Sequence, residues 1–136
     1  MADSRFDVLT IGNAIVDVIA PIDPDFLKRE GMDEGIMHLV DAQRSAYLYE
    51  RMPAQKRQIS GGSAANTAAG VASLGGKAAF IGKVAADPLG EVFADDLHNI
   101  GVHYGVSRLH DGPATARSMI LVSPDGERTM NTYLGA

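Results

Sequence analysis

Residues 59–70 read ISGGSAANTAAG, and the reading of the whole chain turns on them. A strand-like lead runs into two glycines and a serine, and Asn66 follows one turn later at the head of an alanine-rich, helix-forming run. Glycine loses more freedom on folding than any other residue. A pair of them at a strand-to-helix junction therefore marks a place where the backbone turns sharply or comes close to something. One reading is purely structural: a glycine turn, with Ser63 near the helix cap. The other is functional. Gly61 and Gly62 would let backbone N–H groups approach a ligand, and the free amides of the helix would favour an oxygen-rich or anionic group.

Working outward from this junction, the pattern alternates. Residues 6–11 predict a buried strand interrupted at Gly12, and residues 14–22 continue extended up to a turn between Pro21 and Pro24. A short helix over 25–30 closes at Gly31, a strand covers 36–40, and a helix over 42–52 is capped by Asp41. Residues 56–60 form the strand that enters Gly61. The helix over 63–74 ends at Gly75 and Gly76, and residues 77–84 read as a strand buried on both faces. Asp87 followed by Pro88 opens a helix that runs to Ile100 and stops at Gly101. Alternation of this kind predicts an α/β fold with a mainly parallel sheet flanked by helices. The tail differs: residues 114–123 and 127–135 flank Pro124-Asp125-Gly126, a hairpin signal that adds antiparallel strands locally. The chain stops directly after a strand-like run, which suggests the N-terminal portion of a larger protein.

Composition narrows the function classes. The 136 residues, 46% of them hydrophobic, suffice for one domain with a core. A net charge of −5 and a pI near 5.2, without clustered Lys and Arg, argue against nucleic acid or an anionic membrane as partner. There is no cysteine, hence no disulfide or thiolate chemistry. No signal-peptide pattern and no apolar run of about 20 residues is present, so a cytoplasmic enzyme or binding protein is the expectation.

Few residues are placed for chemistry. Asn13 and Asp17 are four apart on an extended segment, so their side chains share a face while Val16 and Val18 take the other. A carboxylate in an apolar run can be a rim residue bonded to backbone. Alternatively, an acceptor-only carboxylate beside an amide that both donates and accepts suits vicinal hydroxyls. His38, His98, His103 and His110 share no metal-ligand spacing, and no metal site is expected. Arg128 follows the hairpin turn, where it is either a surface charge or able to swing onto phosphate oxygens. No GxGxxG motif occurs. Residues 75–84, GGKAAFIGKV, fail as a phosphate-binding P-loop because Gly76 is one residue too far from Gly82-Lys83 and Val84 stands in the Ser/Thr place.

Taken in order, residues 11–18 (IGNAIVDV), 61–68 (GGSAANTA), 74–90 (LGGKAAFIGKVAADPLG) and 123–136 (SPDGERTMNTYLGA) resemble the PfkB, or ribokinase-like, carbohydrate kinases. Residues 37–41 (MHLVD), with the last of these runs, point to adenosine-kinase-like members. The resemblance implies a ribokinase-like fold with a small β lid, its strands drawn from about 14–22, 36–40 and 56–60. It implies ATP-dependent phosphoryl transfer to a primary hydroxyl of a sugar or nucleoside. The family's sugar-binding positions match Asn13, Asp17, Gly61, Gly62 and Asn66, with Ser63 between them, and Arg128 matches the residue that approaches the transferred phosphate. Two departures stand out. Ala85 replaces the usual Gly before the DPLG turn. The family's Gly-Ala-Gly-Asp segment, which carries the catalytic base, is absent. ATP and Mg2+ would therefore be bound mainly by a C-terminal half outside this chain, which is itself an expected partner. Association of two copies through the lid is a further option. The rival readings are a non-catalytic sugar- or nucleoside-binding module and, disfavoured by the missing glycine motif, a dinucleotide-binding oxidoreductase domain.

Overall fold

The structure, a computed structural model, describes residues 4–136. Its strands are β1 (Val8–Ile11), β2 (Ile15–Pro21), β3 (Met37–Leu39), β4 (Arg57–Gly61), β5 (Ala78–Ile81), β6 (Ala116–Val122) and β7 (Arg128–Tyr133). Between them lie the helices α1 (Phe26–Arg29), α2 (Ala42–Arg51), α3 (Ser63–Ser73) and α4 (Pro88–Ile100). The helix termini follow from local chemistry. Asp41 accepts from the Arg44 amide at 2.7 Å and caps α2, while Asp87 accepts from the Gly90 amide at 2.8 Å and caps α4, with Pro88 in its first turn. Gly101 ends α4 in the left-handed region, where a side chain would be strained.

The strands form two sheets. β1 and β5 pair in parallel, and a second sheet has the order β3-β7-β6-β2-β4. The pairings β1–β5, β2–β6 and β3–β7 are parallel; β2–β4 and the β6–β7 hairpin are antiparallel. The fold is thus the α/β arrangement that alternation predicts, with one correction. The hairpin at the chain's end does not extend the sheet of β1 and β5. It joins β2, β3 and β4, the strands assigned to the lid, with β2 aligned to β6 from Ile15↔Ala116 to Pro21↔Val122. Local pattern cannot show a pairing between segments so far apart in sequence.

Side-chain alternation makes the five-stranded sheet two-faced. Val16, Val18, Ala20, Met119 and Leu121 are buried on one face, in a core with Phe26 of α1, Leu48 of α2 and Phe93 and Leu97 of α4. Phe80, Phe93 and Tyr104 meet with ring centroids 5.5 to 5.9 Å apart. Register puts Ile15, Asp17, Ser118, Thr132 and Leu39 on the opposite face, where Met37 and Leu39 remain 52% and 65% exposed. α3 packs against β1 and β5, burying Ala65 and Ala68.

Candidate active site

The main chain converges where β1 and β5 end side by side. Gly12, directly after β1, donates its amide to the Ile81 carbonyl at 3.1 Å. Ligands of open α/β folds gather outside the carboxyl ends of parallel strands, and α3 begins at the same place. Close approach is strict there. A methyl group on Gly12 would lie 2.8 Å from the Ala64 Cβ, and one on Gly82 would lie 2.5 Å from the Gly12 carbonyl oxygen. The paired strands end in the same Ile-Gly dipeptide, a signal in the sequence that would have placed Gly82 beside Gly12.

Gly61 and Gly62 carry the corner itself. Gly61 pairs with Ile15 at the end of β4, and the carboxylate of Asp17, two residues along β2 on the same face, lies flat against it. A methyl at Gly61 would overlap that carboxylate, with the Asp17 Cγ only 2.5 Å away. Gly62 has φ +89°, and a side chain there would meet the Asn13 carbonyl oxygen at 2.8 Å. Gly62, beside Ser63, holds the N-cap position of α3, and it offers no side-chain acceptor to the first amides of the helix. Ser63 and Asn66 follow in the exposed first turn, with the Asn66 amide donating to the Gly62 carbonyl at 2.9 Å. The structure therefore joins Asp17, Gly61, Gly62 and the Asn13 main chain at the uncapped start of a helix, a setting of partial positive charge.

Asp17 is the unusual group. Its carboxylate is half-buried, and burial alone raises its pKa above the ordinary carboxylate value. No cation or hydrogen-bond donor among the described residues offsets this. Its register neighbour Ser118 bonds sideways to Thr132, Oγ to Oγ1 at 2.9 Å. The Asp17 oxygens make no hydrogen bond among the described residues and stay open to solvent, able to accept.

Arg128 is not brought into this corner. It starts β7, exposed, opposite Val122, which in turn aligns with Pro21. That places it two strands across from Asp17 and four residues along, about 13 Å in the strand direction. The four histidines are dispersed. Among the described residues, no group of three or more histidine or carboxylate side chains is arranged to hold a metal ion. Ser118 and Thr132 were missed by sequence reasoning, since only the β2–β6–β7 register sets them beside Asp17.

Residues 33–136 match the pfkB family of carbohydrate kinases. The chain belongs to this family. Among solved structures, it is similar to the adenosine kinase from Sinorhizobium meliloti, at 58% identity and a TM-score of 0.87 over 98% of this chain and 40% of that one. The apo adenosine kinase of Trypanosoma brucei brucei shares the fold at 21% identity, with a TM-score of 0.85 over 98% of this chain and 42% of that one. Among curated relatives, fructokinase-1 of Oryza sativa subsp. japonica is 41% identical over 73 residues, 54% of this chain and 23% of the relative. This pfkB chain thus spans well under half the length of these relatives. No helix among the described residues is long and apolar enough to cross a membrane.

Proposed function

We propose that this chain supplies the substrate-binding part of a kinase that transfers the γ-phosphoryl group of ATP to a primary hydroxyl of a sugar or nucleoside. The observation that carries the reading is Asp17, a half-buried carboxylate with no partner among the described residues, pressed against Gly61 beside the start of α3, where no side chain caps the helix. In this reading Asp17 accepts hydrogen bonds from vicinal hydroxyls, and the amide side chains of Asn13 and Asn66 add a donor and an acceptor each. Gly61 and Gly62 admit the sugar to the main chain, and Ser63 with the first α3 amides faces its oxygens. The five-stranded sheet acts as the lid, excluding water that would compete as phosphoryl acceptor and bringing Arg128 toward the transferred phosphate.

ATP supplies the phosphoryl group, and Mg2+ would neutralise charge on its phosphates. The residues present do not fit a site for either: the sequence holds no P-loop, and no cluster of carboxylates is in place among the described residues. Both are assigned to parts of the parent protein outside these residues, which work in the cytoplasm in this reading. The test is phosphoryl transfer by the full-length parent across a panel of nucleosides and sugars, comparing the native protein with Asp17→Asn. A collapse of kcat/KM in a well-folded variant supports the assignment. Binding of sugars or nucleosides without any transfer by the parent would favour a non-catalytic binding module instead.

A further inference from the structure

A cavity of about 220 Å³ opens on the face of the five-stranded sheet opposite Asp17, where α2, β4, β6 and the start of α4 meet. Its polar lining comes from Tyr49, Gln58, Asp87, Thr115 and Arg117. Arg117 neighbours Ser118 on β6 and therefore points to the reverse face. Its guanidinium carbon sits 4.5 Å from the centre of the Tyr49 ring, and its Nε donates to the Oγ of fully buried Ser45 at 2.7 Å.

The donors and acceptors in this cavity are unbalanced. The terminal nitrogens of Arg117 make no hydrogen bond or ion pair among the described residues. The Tyr49 hydroxyl accepts from Gln58 Nε2 at 2.6 Å, which leaves its own proton to donate. The one carboxylate present is already engaged. Asp87 Oδ1 accepts from the Gly90 amide and from the Thr115 hydroxyl, at 2.8 and 2.6 Å, and Oδ2 accepts from the Thr115 amide at 2.9 Å. Asp87 and Arg117 attract each other across the cavity without a bond between them, so what the guanidinium lacks is an acceptor with two oxygens within hydrogen-bond reach.

We propose that this cavity is a second ligand site, separate from the Asp17 corner, which takes a small oxyanion, a carboxylate or phosphate group. The two terminal nitrogens of Arg117 hold it as a fork, and the Tyr49 hydroxyl is the third donor. Burial disfavours the charged form of Arg117, and a bound oxyanion would offset that cost. Small apolar walls at Leu89 and Ala114 leave room for a short carbon body on the bound group.

The site is tested by titrating 15N-labelled protein with sodium phosphate and, separately, with sodium acetate, each against sodium chloride at matched ionic strength. Saturable amide shifts at Asp87, Leu89, Gly90 and 114–117, with Gly61 and Gly62 unmoved, are the expected result. Saturation by phosphate alone assigns the site to phosphate, and saturation by acetate as well assigns it to oxyanions generally. Arg117→Met should weaken the binding about tenfold or more, and Tyr49→Phe by less. Should Arg117→Met fail to fold, Tyr49→Phe and the shift map of the unmodified protein decide. Equal shifts with chloride, unchanged affinity in a folded Arg117→Met, or shifts confined to Gly61 and Gly62 would overturn the proposal.

Discussion

A carboxylate held half-buried with no donor beside it titrates differently in the folded and unfolded chain. For Asp17 the folded pKa lies above the unfolded one, so between the two values the folded state binds more protons. Stability therefore falls as pH rises through that window, and the deficit persists at neutral pH. Asp17→Asn should melt higher than the native protein at pH 7, and the gap should close below about pH 4, where the carboxyl is protonated in both states. Thermal unfolding at the two pH values checks this. Activity should move the other way: Asp17→Ala in the full-length parent should lower kcat/KM by about 2–4 kcal/mol, through loss of a charged acceptor for a bound hydroxyl. Steady-state kinetics reads this directly, and an unchanged kcat/KM would leave Asp17 a rim residue. The two-sidedness of β2 was legible because strand alternation is a local rule: Val16 and Val18 are buried and Asp17 takes the other face, while Asn13 lies before the strand, in the connection from β1. That the carboxylate lies on Gly61 was not, because it depends on the antiparallel match of Ile15 with Gly61.

At the scale of the element, the starts of α3 and α4 contrast. Burial of Asp87 opposes its charge, but bonds from the Thr115 hydroxyl and amide and from the Gly90 amide outweigh it, and its carboxyl is held below the ordinary value. A depressed folded pKa contributes stability above the unfolded value, and this is lost as pH falls through the folded one. Asp87→Ala should cost about 1–3 kcal/mol at pH 7 in denaturant unfolding, since it removes a cap and leaves the Thr115 amide and hydroxyl proton without their acceptor. Gly62→Ala should also destabilise, by about 1–3 kcal/mol, through its left-handed φ and the overlap with Asn13. The caps at Asp41, Asp87 and Gly101 were readable because each is settled within one helical turn. The start of α3 at Ser63 was readable too, with the N-cap position falling on the glycine before it, which offers no side chain.

For the molecule as a whole, the α/β class was legible from alternation, while the division into two sheets was not, because β6 chooses between partners that look alike in sequence. The absence of a P-loop and of the base-bearing segment carries an expectation of its own. The 136-residue chain alone should show no substrate-dependent transfer from labelled ATP, whereas the full-length parent should, general-base assistance being typically worth about 10²–10⁴-fold. Transfer by the chain at a comparable rate would sink that idea. The two sheets share no ladder of hydrogen bonds, and two of the paths between them are short: Gly12 to Ala14 from β1 to β2, and Gly62 from β4 into α3. Mechanically these are two stiff plates joined by short straps and by a shared core, in which Phe80 of β5 meets Phe93 of α4. A small rotation of one plate breaks no strand pairing, yet it must move Asn13 and Gly62, which sit on the straps, so the gap between the plates and the shape of the site change together.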